Sequence, residues 1–498
     1  MSKLRHSFFL LFAILLSTSA YCKPEGFSIN ADKVSVEKDK YRIEAEGNAV
    51  VKHKNITLFA NHLIYDTSKE VFDADRGFKM LFQGVSIEGV SVNFQVKKNE
   101  GTADNIAFDY QNARIKGERI VFNQNEMHIK NASFTTCDNP KPHYKVSASD
   151  LHLYIKDLWL VGYWGLFWLG GIPIVPMPTY LYDFNPARAE NNNLAPFPEI
   201  GSNNDMGNYV NEKLSWYLNR QFYGNYSFGY SANKGLLGGF FSNYTLNNEN
   251  RGDFRLNINP KDGFFGGIKH IGEFGNKYIA QQNSSFSFLS ANTFSQFELE
   301  TNLTSKERIN YQQVSMLPYL VLRLKSSNQP NNYLQYNVEI GGGDIKEEGN
   351  TRLNKWGGKI KVSKLFEENN NVSISPYLIW DSYYYSNGTS WVKPAAGLNV
   401  GKIISPDLFF EMGYQHYLSM SGTSPFIYEL YRYRPVDTLS ANIKFKIGET
   451  NAKIASIYFL DNYSPEDIDY SVFFRLHCYN LGMTYRSMRN EFTFGVSL

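Results

Sequence analysis

Leu439-Ser-Ala-Asn-Ile-Lys-Phe-Lys-Ile447 sets apolar side chains at 439, 441, 443, 445 and 447, with smaller or polar ones between. A period of two sends each set to its own face of a β-strand. The alternation recurs at Phe254, Leu256 and Ile258 against Arg255, Asn257 and Asn259. It recurs again at Leu334, Tyr336, Val338 and Ile340, and at Tyr479, Leu481, Met483 and Tyr485. Strands of a soluble sandwich run nearer five or six residues. Longer staves with Tyr and Phe near their ends fit a lipid-facing band with aromatic girdles. The last segment, Glu491-Phe-Thr-Phe-Gly-Val-Ser-Leu498, turns Phe492, Phe494, Val496 and Leu498 to one side. Such a strand is able to close a sheet and remove its edge. Roughly 290 residues from Tyr209 onward, at about 16–18 per strand and turn, predict an even-numbered transmembrane antiparallel barrel of about 16–18 strands over 209–498.

Upstream, Lys3, Arg5 and His6 precede an apolar run from Phe8 to Leu16 and small residues from Ser17 to Ala20. This reads as an export signal peptide over 1–22, cut after Ala20 or after Cys22. The apolar run is too short to span a bilayer. A lipoprotein site at Cys22 is opposed by the bulky Tyr21. Net charge is +2, so no global basic field points to nucleic acid. Aromatic residues reach 16% while mean hydropathy is negative, −0.38, which suits a barrel with one wet and one lipid-facing side. The uncharged stretch Leu160–Met177 contains Gly162, Gly165, Gly170, Gly171, Pro173 and Pro176. Proline removes a donor and clashes with the preceding turn, so strand and linker are expected there rather than a membrane helix.

Residues 23–184 show short β-rich runs separated by Gly- and Asp-containing turns: Tyr41–Ala45, Asn48–Val51, Ile56–Ala60, Gly84–Gly89, Arg114–Gly117 and Met127–Ala132. No helical period of useful length interrupts them. The expectation is an all-β chain whose N-terminal domain is a β-jellyroll of stacked rungs. Residues 185–208, polar, Asn-rich and carrying Pro186, Pro196 and Pro198, are read as a linker. In an oxidising compartment Cys137 and Cys478 either pair or remain two unrelated thiols. There is no G-x-S-x-G, no HExxH and no paired-cysteine metal site, so neither an enzyme nor a cofactor nor a metal is expected. His416 and His477 read as barrel-wall residues.

Several segments resemble the OstA-type family of lipopolysaccharide-assembly proteins (LptD, organic solvent tolerance). They are Ile29-Asn-Ala-Asp32, Glu46-Gly-Asn-Ala-Val50, Leu58–Asp66, Ala132-Ser-Phe-Thr-Thr-Cys-Asp138, Gly170-Gly-Ile-Pro-Ile-Val-Pro-Met-Pro178 and Phe474-Arg-Leu-His-Cys-Tyr479. Thr-Thr-Cys and Gly-Gly-Ile-Pro are the specific parts, and the similarity runs in order along nearly the whole chain. The resemblance implies a cell-outer-membrane translocon with its N-terminal domain in the periplasm. Lipopolysaccharide would be received in an apolar groove, for which Ile56, Leu58, Leu63, Val85, Ile87, Ile106 and Phe108 are candidates. Each of these equally fits a packed rung core. Sugars would pass the barrel lumen while acyl chains leave by a lateral gate between first and last strands, near Tyr209–Leu218 and Glu491–Leu498. Some members weaken that gate with prolines; here Ser215 and Gly229 stand near those places, with Phe492 and Phe494 opposite. The resemblance also implies a Cys137–Cys478 disulfide, with Cys478 turned into the lumen on the face of Asn480, Thr484 and Arg486. Implied partners are an LptA-type periplasmic bridge protein, an LptE-like plug lipoprotein and the barrel-assembly machinery. The alternative from the residues alone is a passive outer-membrane porin with an accessory periplasmic β-domain.

Overall fold

A computed structural model describes residues 28–53, 56–185, 193, 196–275, 294–326, 334–349, 351–368 and 371–497. The expected signal peptide and Cys22 lie outside the described residues, as does most of 186–195 within the expected linker. The described residues fall into two compact units, 28–110 with 115–124, and 111–114 with 125–497.

The first unit is antiparallel β throughout. Its strands are β1 (Ser28–Asn30), β2 (Lys33–Glu37), β3 (Arg42–His53), β4 (Ile56–Asp66), β5 (Val71–Ala74), β6 (Phe78–Phe82), β7 (Val85–Gly89), β8 (Ser91–Gln95), β9 (Glu100–Tyr110) and most of β10 (Ala113–Phe122). The long β4 is shared: its start pairs with β6 and its end with β5. These branches continue through β7 and β8 and rejoin on β9. That branching folds the sheet over on itself, so alternate residues on β4 to β10 point into one interior. Phe82, Phe94 and Phe122 meet there, with Phe82 and Phe122 ring centroids 5.1 Å apart. The register shift inside β3, between Glu46 and Ala49, is centred on Gly47. Its φ is +75°, and an added Cβ would strike the Asp32 carboxylate. Asp32 in turn accepts the Asn48 side-chain amide at 2.9 Å.

The second unit begins with an antiparallel sheet of β11 (Glu126–Thr135), β12 (Tyr144–Tyr154), β13 (Trp159–Leu169) and β14 (Ile172–Asp183). The uncharged stretch 160–177 therefore forms the β13–β14 hairpin. Its turn is Gly170-Gly171, both at positive φ, a conformation other residues enter only at a cost. The remainder is a closed antiparallel barrel. Counting Phe366–Glu368 with the strand before it and Ser421–Gly422 with the strand Leu408–Tyr417, it has eighteen staves among the described residues. Leu256, Ile258, Ile340, Ile447 and Tyr485, from the alternating runs, are exposed on its outside. Charged residues line the inside. Glu300 takes Lys269 at 3.0 Å and also pairs with Arg323, and Arg255 meets Glu307 at 3.1 Å. Charges paired across a wet lumen avoid the desolvation cost they would meet in lipid.

The barrel starts earlier than the sequence pattern suggests. Its first strand is β15 (Glu199–Asn203), followed by β16 (Gly207–Asn219) and β17 (Phe222–Ser231). β15 has five residues, Glu-Ile-Gly-Ser-Asn, of which only Ile200 is strongly apolar. A segment so short and polar carries no readable alternation.

Candidate functional site

β15 pairs with the final strand, Glu491–Ser497, to close the barrel. The ladder has three residue pairs: Ile200 with Phe494, Gly201 with Thr493 and Ser202 with Phe492. On the other side of the final strand the ladder has seven pairs, and β16 meets β17 in ten. The closing seam is therefore short. Phe492 and Phe494 sit on it, on the same face as the exposed Ile200. Ser215 and Gly229 do not. Ser215 is buried on β16 and faces Asn225; Gly229 on β17 faces Asn211, where a Cβ would strike the backbone of Val210. They lie one and two strands from the seam, because the unrecognised β15 precedes the strand on which Ser215 lies. What distinguishes the seam is the length of its ladder rather than a residue inside the next two strands.

Behind the seam, inside the barrel, is a cavity of about 490 Å³. Glu199, Tyr209, Asn211, Arg308, Arg489 and Glu491 are among its walls. Tyr209 donates its hydroxyl hydrogen to Glu199 at 3.0 Å, and Tyr311 donates to Glu491. Asp205, in the turn after β15, is held by Lys234 at 3.0 Å and by Arg308. Both strands of the seam thus present hydrogen-bonding groups to a polar chamber and apolar groups to the outside.

The loop between the strands Leu408–Tyr417 and Thr438–Ile447 folds back over the strand ends on this side of the barrel. Its single helical turn, Ile427–Leu430, is held by Glu347, which is 1% exposed. The carboxylate accepts the backbone N–H groups of Ile427 at 2.8 Å and Tyr428 at 2.6 Å. Phe426 and Tyr428 pack with Val314, Ile345, Tyr385 and Trp391. Glu429 pairs with Lys355 and accepts the Tyr385 hydroxyl at 2.7 Å. The sequence marks 419–437 as a long loop but gives no signal for what it packs on, since its contacts join residues about eighty positions apart.

At the other end of the barrel a disulfide joins Cys137, in the loop between β11 and β12, to Cys478, their Cα atoms 5.1 Å apart. Cys478 is not a lumen-facing wall residue. With His477 it forms the tight turn between the strands Ser464–Leu476 and Tyr479–Arg486. In the sequence the alternation of the second strand runs on across a turn of two residues, which hides the reversal and the face of Cys478. His477 also leaves the wall: its Nδ1 lies 2.9 Å from Cys478 Sγ and 3.8 Å from Cys137 Sγ. His416, by contrast, does lie on a strand and bonds Asp437 at 2.8 Å.

In the first unit, Ile56, Leu58, Leu63, Val85, Ile87, Ile106 and Phe108 all face the interior and are at most 6% exposed. Met80, Phe82 and Phe94 are buried there as well.

No family model matches the chain. Curated relatives do. One from Pseudoalteromonas atlantica is 24% identical over 244 residues, 48% of this chain and 32% of that protein. One from Haemophilus influenzae Rd is 21% identical over 202 residues, 38% and 25% respectively. One from Neisseria meningitidis is 23% identical over 161 residues, 31% and 20%. All three are named LPS-assembly protein LptD, and the matches span a third or less of those relatives' own length. Among solved structures, a bacterial polysaccharide outer-membrane secretin has a TM-score of 0.29 at 7% identity, over 61% of this chain and 99% of that one. OmpT of Vibrio cholerae has a TM-score of 0.29 at 9% identity, over 60% and 93%. This outer-membrane chain, with its eighteen-stave barrel, is thus similar to LPS-assembly proteins named LptD over 31–48% of its length.

Proposed function

We propose that the chain is an outer-membrane translocon for lipopolysaccharide, not an enzyme. The observation that carries the reading is the three-pair seam backed by a polar chamber. An amphiphile with a large sugar part and several acyl chains needs two media at once. Its sugars are costly in hydrocarbon and its chains are costly in water. A seam that opens sideways keeps the sugars in the chamber while the chains pass between Phe492, Phe494 and Ile200 into lipid. The loop held by Glu347 brings Tyr431 to the chamber wall, on the side away from Cys478, and in this reading it restricts passive flow. The first unit takes acyl chains into its interior, lined by Leu58, Leu63, Ile87 and Phe108, and its two branches separate to admit them. An LptA-type bridge protein delivers the lipid to that unit. An LptE-like plug and the barrel-assembly machinery are the remaining partners of this reading.

The test is photo-crosslinking in living cells from a photoreactive phenylalanine analogue at Phe108, with a second probe at Leu58. A lipopolysaccharide adduct that disappears when upstream transport is blocked is expected. A folded, exported protein that yields no adduct from either position would overturn the reading.

A further inference from the structure

Four side chains converge where the β11–β12 loop meets the turn at 477–478. They are Cys137, His143, His477 and Cys478, and their potential ligand atoms all lie within 4.8 Å of one another. We propose that in the dithiol state these four residues bind a zinc ion, so that the site exists in two exclusive forms, metal-bound and disulfide-bonded.

The donor set is two sulfurs and two imidazole nitrogens, a combination that tetrahedral structural zinc sites use. With Zn–S near 2.3 Å and Zn–N near 2.0–2.1 Å, a tetrahedron sets sulfur and nitrogen about 3.5 Å apart and the two sulfurs about 3.7 Å apart. His143 Nδ1 lies 3.2 Å from Cys478 Sγ and 3.7 Å from Cys137 Sγ. His477 Nδ1 lies 2.9 Å and 3.8 Å from the same two sulfurs. The four nitrogen–sulfur distances thus bracket the tetrahedral value. Parting the two sulfurs is the main adjustment that reduction must supply. Both histidines turn the same ring nitrogen, Nδ1, toward the sulfurs. The other nitrogen of His477, Nε2, lies 3.3 Å from the Asp138 carboxylate. A carboxylate on the far nitrogen fixes the tautomer and orientation of a metal-ligating imidazole. The two rings stand nearly perpendicular, at 87°, so their lone pairs approach from different directions. Other His–carboxylate groups carry less. His128, Asp150 and His152 form a three-donor cluster, but Asp150 is already taken by Lys130 and His128, and His152 by Glu126.

The ion would hold the β11–β12 loop and the 477–478 turn together before the covalent bond exists. Exchange with a protein disulfide then oxidises the two thiolates to the Cys137–Cys478 bond. The incoming disulfide is reduced to two thiols, taking two protons from solvent, and the ion is released.

The full chain in detergent, reduced with a phosphine and then titrated with cobalt(II) or zinc(II), tests this. The reduced protein should take up equimolar metal, with thiolate-to-cobalt charge transfer and the intense visible bands of a tetrahedral ion. The oxidised protein should take up none. His143→Gln and His477→Asn, the latter chosen because Asn tolerates the positive φ at 477, should weaken binding at least tenfold while still forming the disulfide on oxidation. Asp138→Asn should weaken it about 10-fold. Three results would overturn the proposal: no uptake by the reduced chain, equal uptake by the oxidised chain, or unchanged affinity in both histidine variants.

Discussion

Locking the seam with a covalent bond should stop export, and the ladder lengths give the size of the effect. Net stabilisation per hydrogen bond is about 0.5–1.5 kcal/mol, so three residue pairs supply roughly 2–4 kcal/mol against opening. The seven pairs on the other side of the final strand supply roughly 4–10 kcal/mol. At about 1.4 kcal/mol per factor of ten, the seam would open on the order of one time in 30 to 10³, and its neighbour far less often. The perturbation is Ile200→Cys with Phe494→Cys, since these residues are paired across the seam. Directly paired Cβ atoms lie about 4.5–5.5 Å apart, so a small shift brings them to disulfide range. The control is Met483→Cys with Phe494→Cys, which bonds the final strand to its other neighbour through the same position. Surface lipopolysaccharide is read in cells depleted of the unmodified protein. Oxidised Ile200/Phe494 cells should fail to display it and recover with reductant, while the control pair should export normally. Normal export from the fully crosslinked seam refutes the gate, and an equal block by both pairs shows that crosslinking alone was responsible.

Other expected outcomes follow from the same packing. Leu63→Ala removes a side chain that is 0% exposed and should destabilise the first unit by about 2–5 kcal/mol, read as lost hydrogen-exchange protection in β3 and β4. His62 is buried between Glu44 at 2.9 Å and Asp75 at 2.8 Å, and these hydrogen bonds raise its pKa above the usual 6.5. A raised folded-state value stabilises fully below the unfolded value and is lost as pH climbs through the folded one. Protection of β4 should therefore fall as pH rises above about 6.5, and His62→Gln should flatten that dependence. Glu347→Ala leaves the Ile427 and Tyr428 N–H groups without their acceptor, at a cost of about 1–3 kcal/mol, and should raise single-channel conductance in planar bilayers.

The barrel was legible because a pleated strand has an integral period. Leu439 to Ile447 alternates without a break, and the lipid outside demands apolar residues on one face all the way along. The rung domain was legible as β-structure, but its interior was not. Leu58 and Phe108 look the same in sequence whether they line a groove or fill a core, and in the structure they are packed. The closing strand was not legible, since Glu199–Asn203 is too short for a period to show. That error moved the expected gate onto Ser215 and Gly229, one and two strands from the seam. Tight turns hide in the same way. His477 and Cys478 continue the alternation of the strand after them, so nothing local reveals that the chain reverses there and carries both toward Cys137 and His143.

The second unit is tied to its own barrel at two places that straddle the seam. Cys478 sits in the turn between the second and third strands on one side of it. On the other side, the turn between the second and third strands joins β16 to β17, and there Tyr217 and Tyr223 pack on Trp159 of β13, the Tyr223 ring centroid 5.0 Å from that of Trp159. The ties differ in kind. The first is covalent, while an aromatic pair adds about 0.5–1.5 kcal/mol beyond its area burial. If the seam opens as proposed, the side without the disulfide is the one expected to move. In the proposed gating, β15 and β16 are therefore expected to swing away, carrying Ile200 and Glu199, while the final strand stays with the disulfide-anchored wall. On that proposal the apolar edge of Phe492 and Phe494 would serve as a stationary rail, and the chamber wall made by Glu199 and Tyr209 would be the part that moves.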